Sequence, residues 1–147
     1  ILSLAETEDF TGSSKWIAKR LGLTDAVAKG AIKRLMRLDL LVIDPKTKKL
    51  KATGEQFEAF SSVADPALKK ACRQNIELAQ RALEETEFNE RDFTAITICF
   101  DLEKMAEAKL LIKNFRRNFA KLMEANKKNE VYKLSIQLFP LTQRSPL

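Results

Sequence analysis

The spacing of apolar residues changes several times along this chain, and each change marks a predicted element. Between Ser14 and Leu21 the apolar positions Trp16, Ile17, Ala18 and Leu21 follow helical spacing, with Ser13 or Ser14 placed to cap the helix and Gly22 to stop it. Leu23 is expected to plug the following turn, and Thr24 or Asp25 to cap a second helix that runs to about Leu38. On that helix Ala28, Ala31, Ile32, Leu35 and Leu38 fall within one sector, as a core-facing stripe does. The opposite sector carries Ala26, Gly30, Lys33 and Arg37, flanked by Lys29 and Arg34. The period then shortens. Leu40-Leu41-Val42-Ile43 is too brief for a helix, Asp44-Pro45-Lys46-Thr47-Lys48-Lys49 has turn chemistry, and Leu50-Lys51-Ala52-Thr53 resumes the run, which predicts a β-hairpin. Helix, turn, helix and hairpin in this order is the pattern of a winged helix-turn-helix.

Residues before and after this stretch differ in character. Ile1, Leu2, Leu4 and Ala5 form an apolar patch that turns acidic at Glu6, Glu8 and Asp9, read as the tail of a truncated helix. The chain begins at Ile1 rather than Met, so an N-terminal portion is expected to precede it. Beyond Thr53-Gly54, residues 55–63 predict a short helix with Phe57 and Phe60, and Asp65-Pro66 starts the next one, Asp as cap and Pro in the first turn. Leu68, Ala71, Cys72, Ile76, Ala79, Ala82 and Leu83 stripe that helix. Phe93 to Phe100 has the β-branched and aromatic density of a strand. Asp101 then caps a helix to about Ala125 with Met105, Ala108, Ile112, Phe115, Phe119, Leu122 and Met123 on one side, and Val131 to Phe139 alternates until Pro140 closes it. The fold class is therefore α+β and mostly helical, a winged helix-turn-helix over residues 1–63 followed by an α-β-α-β module with a small sheet over 64–147. Two parallel strands alone are marginal in water, so the second module is expected to be completed by a further strand, by the preceding N-terminal part or by a second copy. A homodimer is the economical solution.

Charge sharpens the picture. Between Lys15 and Lys51 eleven Lys or Arg face three acids, Asp25, Asp39 and Asp44, a local balance of +8 in a chain whose net charge is +6. The remainder is slightly acidic, so the positive excess sits on one predicted unit, which points to a polyanion partner, duplex DNA first. Lys15, Lys19, Lys29, Gly30, Lys33, Arg34 and Arg37 are the candidate contacts on the two helices, and Lys46, Lys48 and Lys49 those on the hairpin tip. Small residues let a helix backbone approach a groove while Lys and Arg reach phosphates or guanine edges. The plainer reading of the same face is a solvated amphipathic helix, against which stands Gly30, because an exposed mid-helix glycine costs about 1 kcal/mol relative to alanine.

Composition narrows the chemistry. The 147 residues contain no His, which removes the usual acid/base at neutral pH and the commonest metal ligand. No Gly-rich phosphate loop, paired-carboxylate motif, GxSxG, CxxC or HExxH spacing occurs. A non-enzymatic protein without cofactor or metal is expected. Cys72 and Cys99 have apolar neighbours in unrelated elements and read as buried free thiols. No apolar run approaches the roughly 20 residues of a membrane span and no signal peptide is present, so a cytoplasmic protein is expected.

Several segments together resemble an uncharacterised paralogous family of bacterial proteins expanded in Fibrobacter and in predatory Bdellovibrio-like bacteria. They are Trp16-Ile17-Ala18 to Leu40-Leu41, the Thr53-Gly54 step, Arg91-Asp92-Phe93-Thr94, and Val131-Tyr132-Lys133-Leu134 to Leu138-Phe139-Pro140-Leu141-Thr142. The resemblance implies a regulatory, DNA-binding role, and full-length members with a further N-terminal helical region. One departure is Asp39, where winged modules usually place Gly. Arg91 reads either as part of a ligand or partner site or as a structural cap for nearby groups. Three functions follow: a transcriptional regulator binding duplex DNA, a non-enzymatic interaction or dimerisation scaffold that keeps the fold without binding DNA, and an enzyme or small-molecule receptor with a pocket between its modules. The effector is left open.

Overall fold

A computed structural model describes residues 1–54, 66–125 and 127–143. The chain is α+β, and its described residues hold four α-helices and one two-stranded antiparallel sheet. It divides into two compact units, Ile1–Phe57 with Arg116–Lys133, and Glu58–Phe115 with Leu134–Leu147.

The first unit holds the buried core. Helix α1 spans Ser14–Leu21 and α2 spans Asp25–Arg37, joined by a turn in which Gly22 adopts the left-handed conformation, φ 63°, and its N–H donates to Ala18 O. Thr24 caps α2, its hydroxyl accepting the Val27 N–H at 3.3 Å. Neither Ser13 nor Ser14 caps α1 through its side chain; the Ser14 hydroxyl donates instead to Asp25 Oδ1 at 2.6 Å, tying the starts of the two helices together. Leu23, expected to plug the turn, is 42 % exposed; what closes that turn is backbone, the Leu23 N–H donating to Ala18 O at 2.8 Å. Ile17, Ala18, Ala28 and Ile32 pack with Leu4, and Ile1, Phe10, Trp16, Met36 and Leu50 surround them. Leu38 leaves the stripe at the end of α2 and is largely exposed. Residues 1–10 contribute a single short 3₁₀ helix, Ser3–Glu6, rather than the end of an α-helix, and it sinks Leu4 into the core.

Strand β1, Leu41–Ile43, pairs with β2, Leu50–Ala52, in the register Leu41 to Ala52, Val42 to Lys51 and Ile43 to Leu50. Leu40 and Leu41 are buried, which anchors the hairpin to the core. Gly12 has φ 74°, a left-handed conformation that glycine adopts without strain, and it turns the chain beside Leu50 of β2. Residues 128–130 also belong to this unit: Lys128 Nζ lies 2.6 Å from Glu6 Oε2, the Glu8 N–H donates to Lys128 O, and Arg20 bonds Glu130 at 3.1 Å while standing over the Trp16 ring.

The described chain beyond residue 65 is built differently from its sequence expectation. Helix α3 spans Pro66–Glu85 among the described residues, and α4, Met105–Met123, follows a 3₁₀ turn at Leu102–Lys104 whose Glu103 N–H is accepted by Asp101. The expected helix over residues 55–63 and the Asp65 cap lie outside the described residues. Segments 93–100 and 131–139, expected as strands, carry no ladder in the structure. Side-chain composition favours an extended backbone, but a ladder also requires hydrogen bonds to an adjacent edge, and these segments make none among the described residues. Neither α3 nor α4 buries a residue. Along the stripes read as core, Leu68, Ala79, Ala82, Met105, Ala108 and Ile112 are half-buried and the others exposed, and Cys72 and Cys99, expected to be buried, are free and exposed. Arg91 takes its structural reading, donating to Ala82 O at 3.4 Å and lying over the Phe93 ring. No helix among the described residues is long and apolar enough to cross a membrane.

Candidate nucleic-acid interface

Helix α2 turns Ala28 and Ile32 into the core, and the 3.6-residue repeat then forces Ala26, Gly30, Lys33 and Arg37 to the outside. All four are exposed. Lys33, Arg34 and Arg37 meet no carboxylate within ion-pair distance among the described residues. Lys29 differs, since its ammonium lies 2.7 Å from Asp25 one turn earlier. That pairing, with the Ser14 hydroxyl second, holds the Asp25 carboxyl below the usual carboxylate range. A surface pair of this kind contributes little stability, and Lys29 can exchange Asp25 for another anion. Gly30 has a negative φ and open space around it, so no turn or close packing explains its lack of a side chain.

The hairpin tip is shaped by Asp44. Its Oδ1 accepts the Lys46 N–H at 2.7 Å and the Thr47 N–H at 3.0 Å, while its main chain exchanges bonds with Lys48 and Lys49. These backbone donors, Thr47 first, lower the Asp44 pKa. The acid in a basic tip is thus consumed internally, and Lys46, Lys48 and Lys49 stand exposed around it. Lys48 adopts φ 57° and Asp39, at the junction between α2 and β1, φ 55°. Asp39 accordingly reaches the left-handed conformation without glycine, which Asp tolerates better than most residues. Lys15 and Lys19 on α1 are exposed as well. Arg20, one residue on, is tied to Glu130 and Asn129 O and is not part of the free set. Lys51 was not among the sequence candidates; it points outward from β2 opposite Val42, a position that strict alternation along Leu50-Lys51-Ala52 signals.

A family model described as Domain of unknown function (DUF4423) matches residues 1–141. The chain belongs to this family. No curated protein and no solved structure matches it. Membership in DUF4423 brings no activity with it, so the chemistry of the exposed groups carries the functional reading. Among the described residues no group of three or more His, Cys, Asp or Glu is placed to hold a metal ion.

Proposed function

We propose that this chain is a winged helix-turn-helix protein that binds duplex DNA, with α2 as the recognition helix and the β1–β2 hairpin as the wing, and that it acts as a transcriptional regulator. The observation that carries this reading is the outer face of α2, where Lys33 and Arg37 flank Gly30 with no carboxylate among the described residues to neutralise them. A groove admits a helix whose leading side chains are short, and Ala26 and Gly30 are the shortest available. Lys33, Arg34 and Arg37 then reach phosphates or guanine edges, Lys15 and Lys19 reach backbone beside the groove, and Lys46, Lys48 and Lys49 on the wing add affinity with little sequence discrimination.

Gly30 provides an internal check. Gly30→Ala is expected to stabilise the fold by about 1 kcal/mol, because the position is helical, exposed and sterically open. Affinity for duplex DNA is expected to fall several-fold at the same time. Denaturant melts and DNA titrations on one variant read both; a more stable protein with unchanged affinity would show that the backbone at Gly30 approaches nothing.

The reading is tested by recovering genomic DNA fragments on the immobilised chain and comparing it with the Lys33→Glu/Arg37→Glu variant. A reproducible set of fragments held by the first and lost by the second is expected. Equal recovery by both proteins, or none by either, favours the scaffold that keeps this fold without DNA.

A further inference from the structure

Position around α2 divides its exposed cations into two kinds. With the core direction taken midway between the buried Ala28 and Ile32, the helical repeat points Gly30 directly away from the core and sets Arg37 within roughly 20° of it. On one side of that outward line stand Ala26 at roughly 40° and Lys33 at roughly 60°, and on the other Arg34 at roughly 40° and Val27 at roughly 60°. All six residues are exposed. Arg37 is therefore the cation of the midline, two turns along from Gly30, and Lys33 and Arg34 flank it on opposite sides.

Chemically this sector is uniform. It offers hydrogen-bond donors and apolar groups, with no Asn, Gln, Ser, Thr, Asp or Glu side chain to accept. The single acid of the helix, Asp25, is turned roughly 140° from the outward line and already accepts from Ser14 and pairs with Lys29. Arg37 has no ion-pair partner among the described residues. In the major groove adenine and cytosine each present an amino donor that needs an acceptor, whereas guanine presents two acceptors, N7 and O6, and no donor. A face that only donates leaves those amino groups unpaired, which disfavours them. The planar fork of an arginine meets both guanine acceptors at once. A helix lying in a groove also turns its midline to the base edges and its flanks to the phosphates of the two strands.

We infer that Arg37 is the specificity-determining residue of α2, reading a guanine through N7 and O6, while Lys33 and Arg34 hold phosphates of the strands on either side. The inference rests on the reading of α2 as a recognition helix and names what that helix reads. Gly30, on the same midline and with open space around it, lets the backbone approach closely enough for Arg37 to reach the base.

Selection of duplexes from a random-sequence pool by the 147-residue chain, followed by fluorescence anisotropy on one selected duplex, tests it. The selected sequences are expected to share a guanine, and changing that G·C pair to A·T to weaken binding between about fivefold and a hundredfold. Replacing the guanine by 7-deazaguanine, which lacks the N7 acceptor, is expected to weaken binding about fivefold or more, while inosine, which keeps N7 and O6, leaves it unchanged. Arg37→Ala is expected to bind the G·C and A·T duplexes alike, with Trp16 emission reporting that the core cluster is folded. Lys33→Ala and Arg34→Ala are expected to lower affinity for both duplexes by a common factor, to keep the preference, and each to flatten the salt slope by about 1. A bound duplex without guanine preference, an affinity indifferent to 7-deazaguanine, or a preference that survives Arg37→Ala overturns this inference and leaves DNA binding standing. Failure to select any duplex overturns the DNA reading itself, and this inference with it.

Discussion

Reversing the charge of Lys33 and Arg37 together is expected to reduce affinity for duplex DNA by on the order of a hundredfold or more, each lost base or phosphate contact contributing about 1–3 kcal/mol. Lys33→Glu/Arg37→Glu also places two carboxylates where phosphates would lie, so attraction is replaced by repulsion. The fold is expected to survive, because both side chains are exposed and no ion-pair partner among the described residues is left unpaired by their loss. Arg37 stands in the last turn of α2, where a cation favours the dipole, so a loss of about 0.5–1 kcal/mol is expected from that position alone. The gentler Lys33→Gln/Arg37→Gln separates the two contributions: it removes attraction without adding repulsion and should fall between the unaltered chain and the charge reversal. Fluorescence anisotropy on a labelled duplex, with Trp16 emission as the folding control, measures both. Affinity unchanged in a folded double variant would remove α2 from the interface.

The second large effect lies in the core that presents this surface. Ile17 is fully buried, and its neighbours in the cluster are Leu4, Ala18, Ala28 and Ile32. Ile17→Ala is expected to destabilise the first unit by about 3 kcal/mol, the lost transfer energy plus that of the cavity. Two alanines among those neighbours give the cavity little side chain to collapse into it, which places the cost in the middle of the usual range or above. Domains are stable by only about 5–15 kcal/mol, so a substantial part of the margin goes. Ile17→Val removes one methyl group and is expected to cost about 1 kcal/mol. Urea titration followed through Trp16, which packs at the edge of the same cluster, resolves the two. DNA binding should weaken only as far as the folded fraction falls. A loss below about 1 kcal/mol for Ile17→Ala would mean that the five-residue cluster is not what holds α1 on α2.

How much was legible follows the range of the interactions. Helices α1 and α2 and the hairpin were readable because each is specified locally: a four-residue apolar repeat, Gly22 at a left-handed cap, Thr24 on the Val27 amide, and Asp44 folding the tip around its own carboxylate. The exposed cations of α2 follow from the same repeat, since burial of Ala28 and Ile32 fixes the opposite face. What sequence reasoning missed is non-local. The links from Lys128 to Glu6 and from Glu130 to Arg20 join residues more than a hundred positions apart, and no periodicity encodes them. They remove Arg20 from the cationic set, although composition alone counts it with Lys15 and Lys19. The stripes on α3 and α4 were legible as apolar but are only half-buried or exposed, because periodicity shows that a face seeks cover and not whether the same chain supplies it. The same reasoning corrects Cys72, which lies on the α3 stripe and is exposed with it.

The most direct measurement is the salt dependence of duplex DNA affinity for the unaltered chain. Each phosphate contact releases condensed counterions, so the logarithm of the association constant falls with the logarithm of salt concentration at about 0.9 per contact. Five to eight contacts, drawn from the cations of α1, α2 and the hairpin tip that meet no carboxylate among the described residues, give an expected slope between about −4.5 and −7, or a loss on the order of a thousandfold to ten-thousandfold between about 50 and 200 mM salt. A slope near zero, or no binding at about 50 mM salt, would contradict the account.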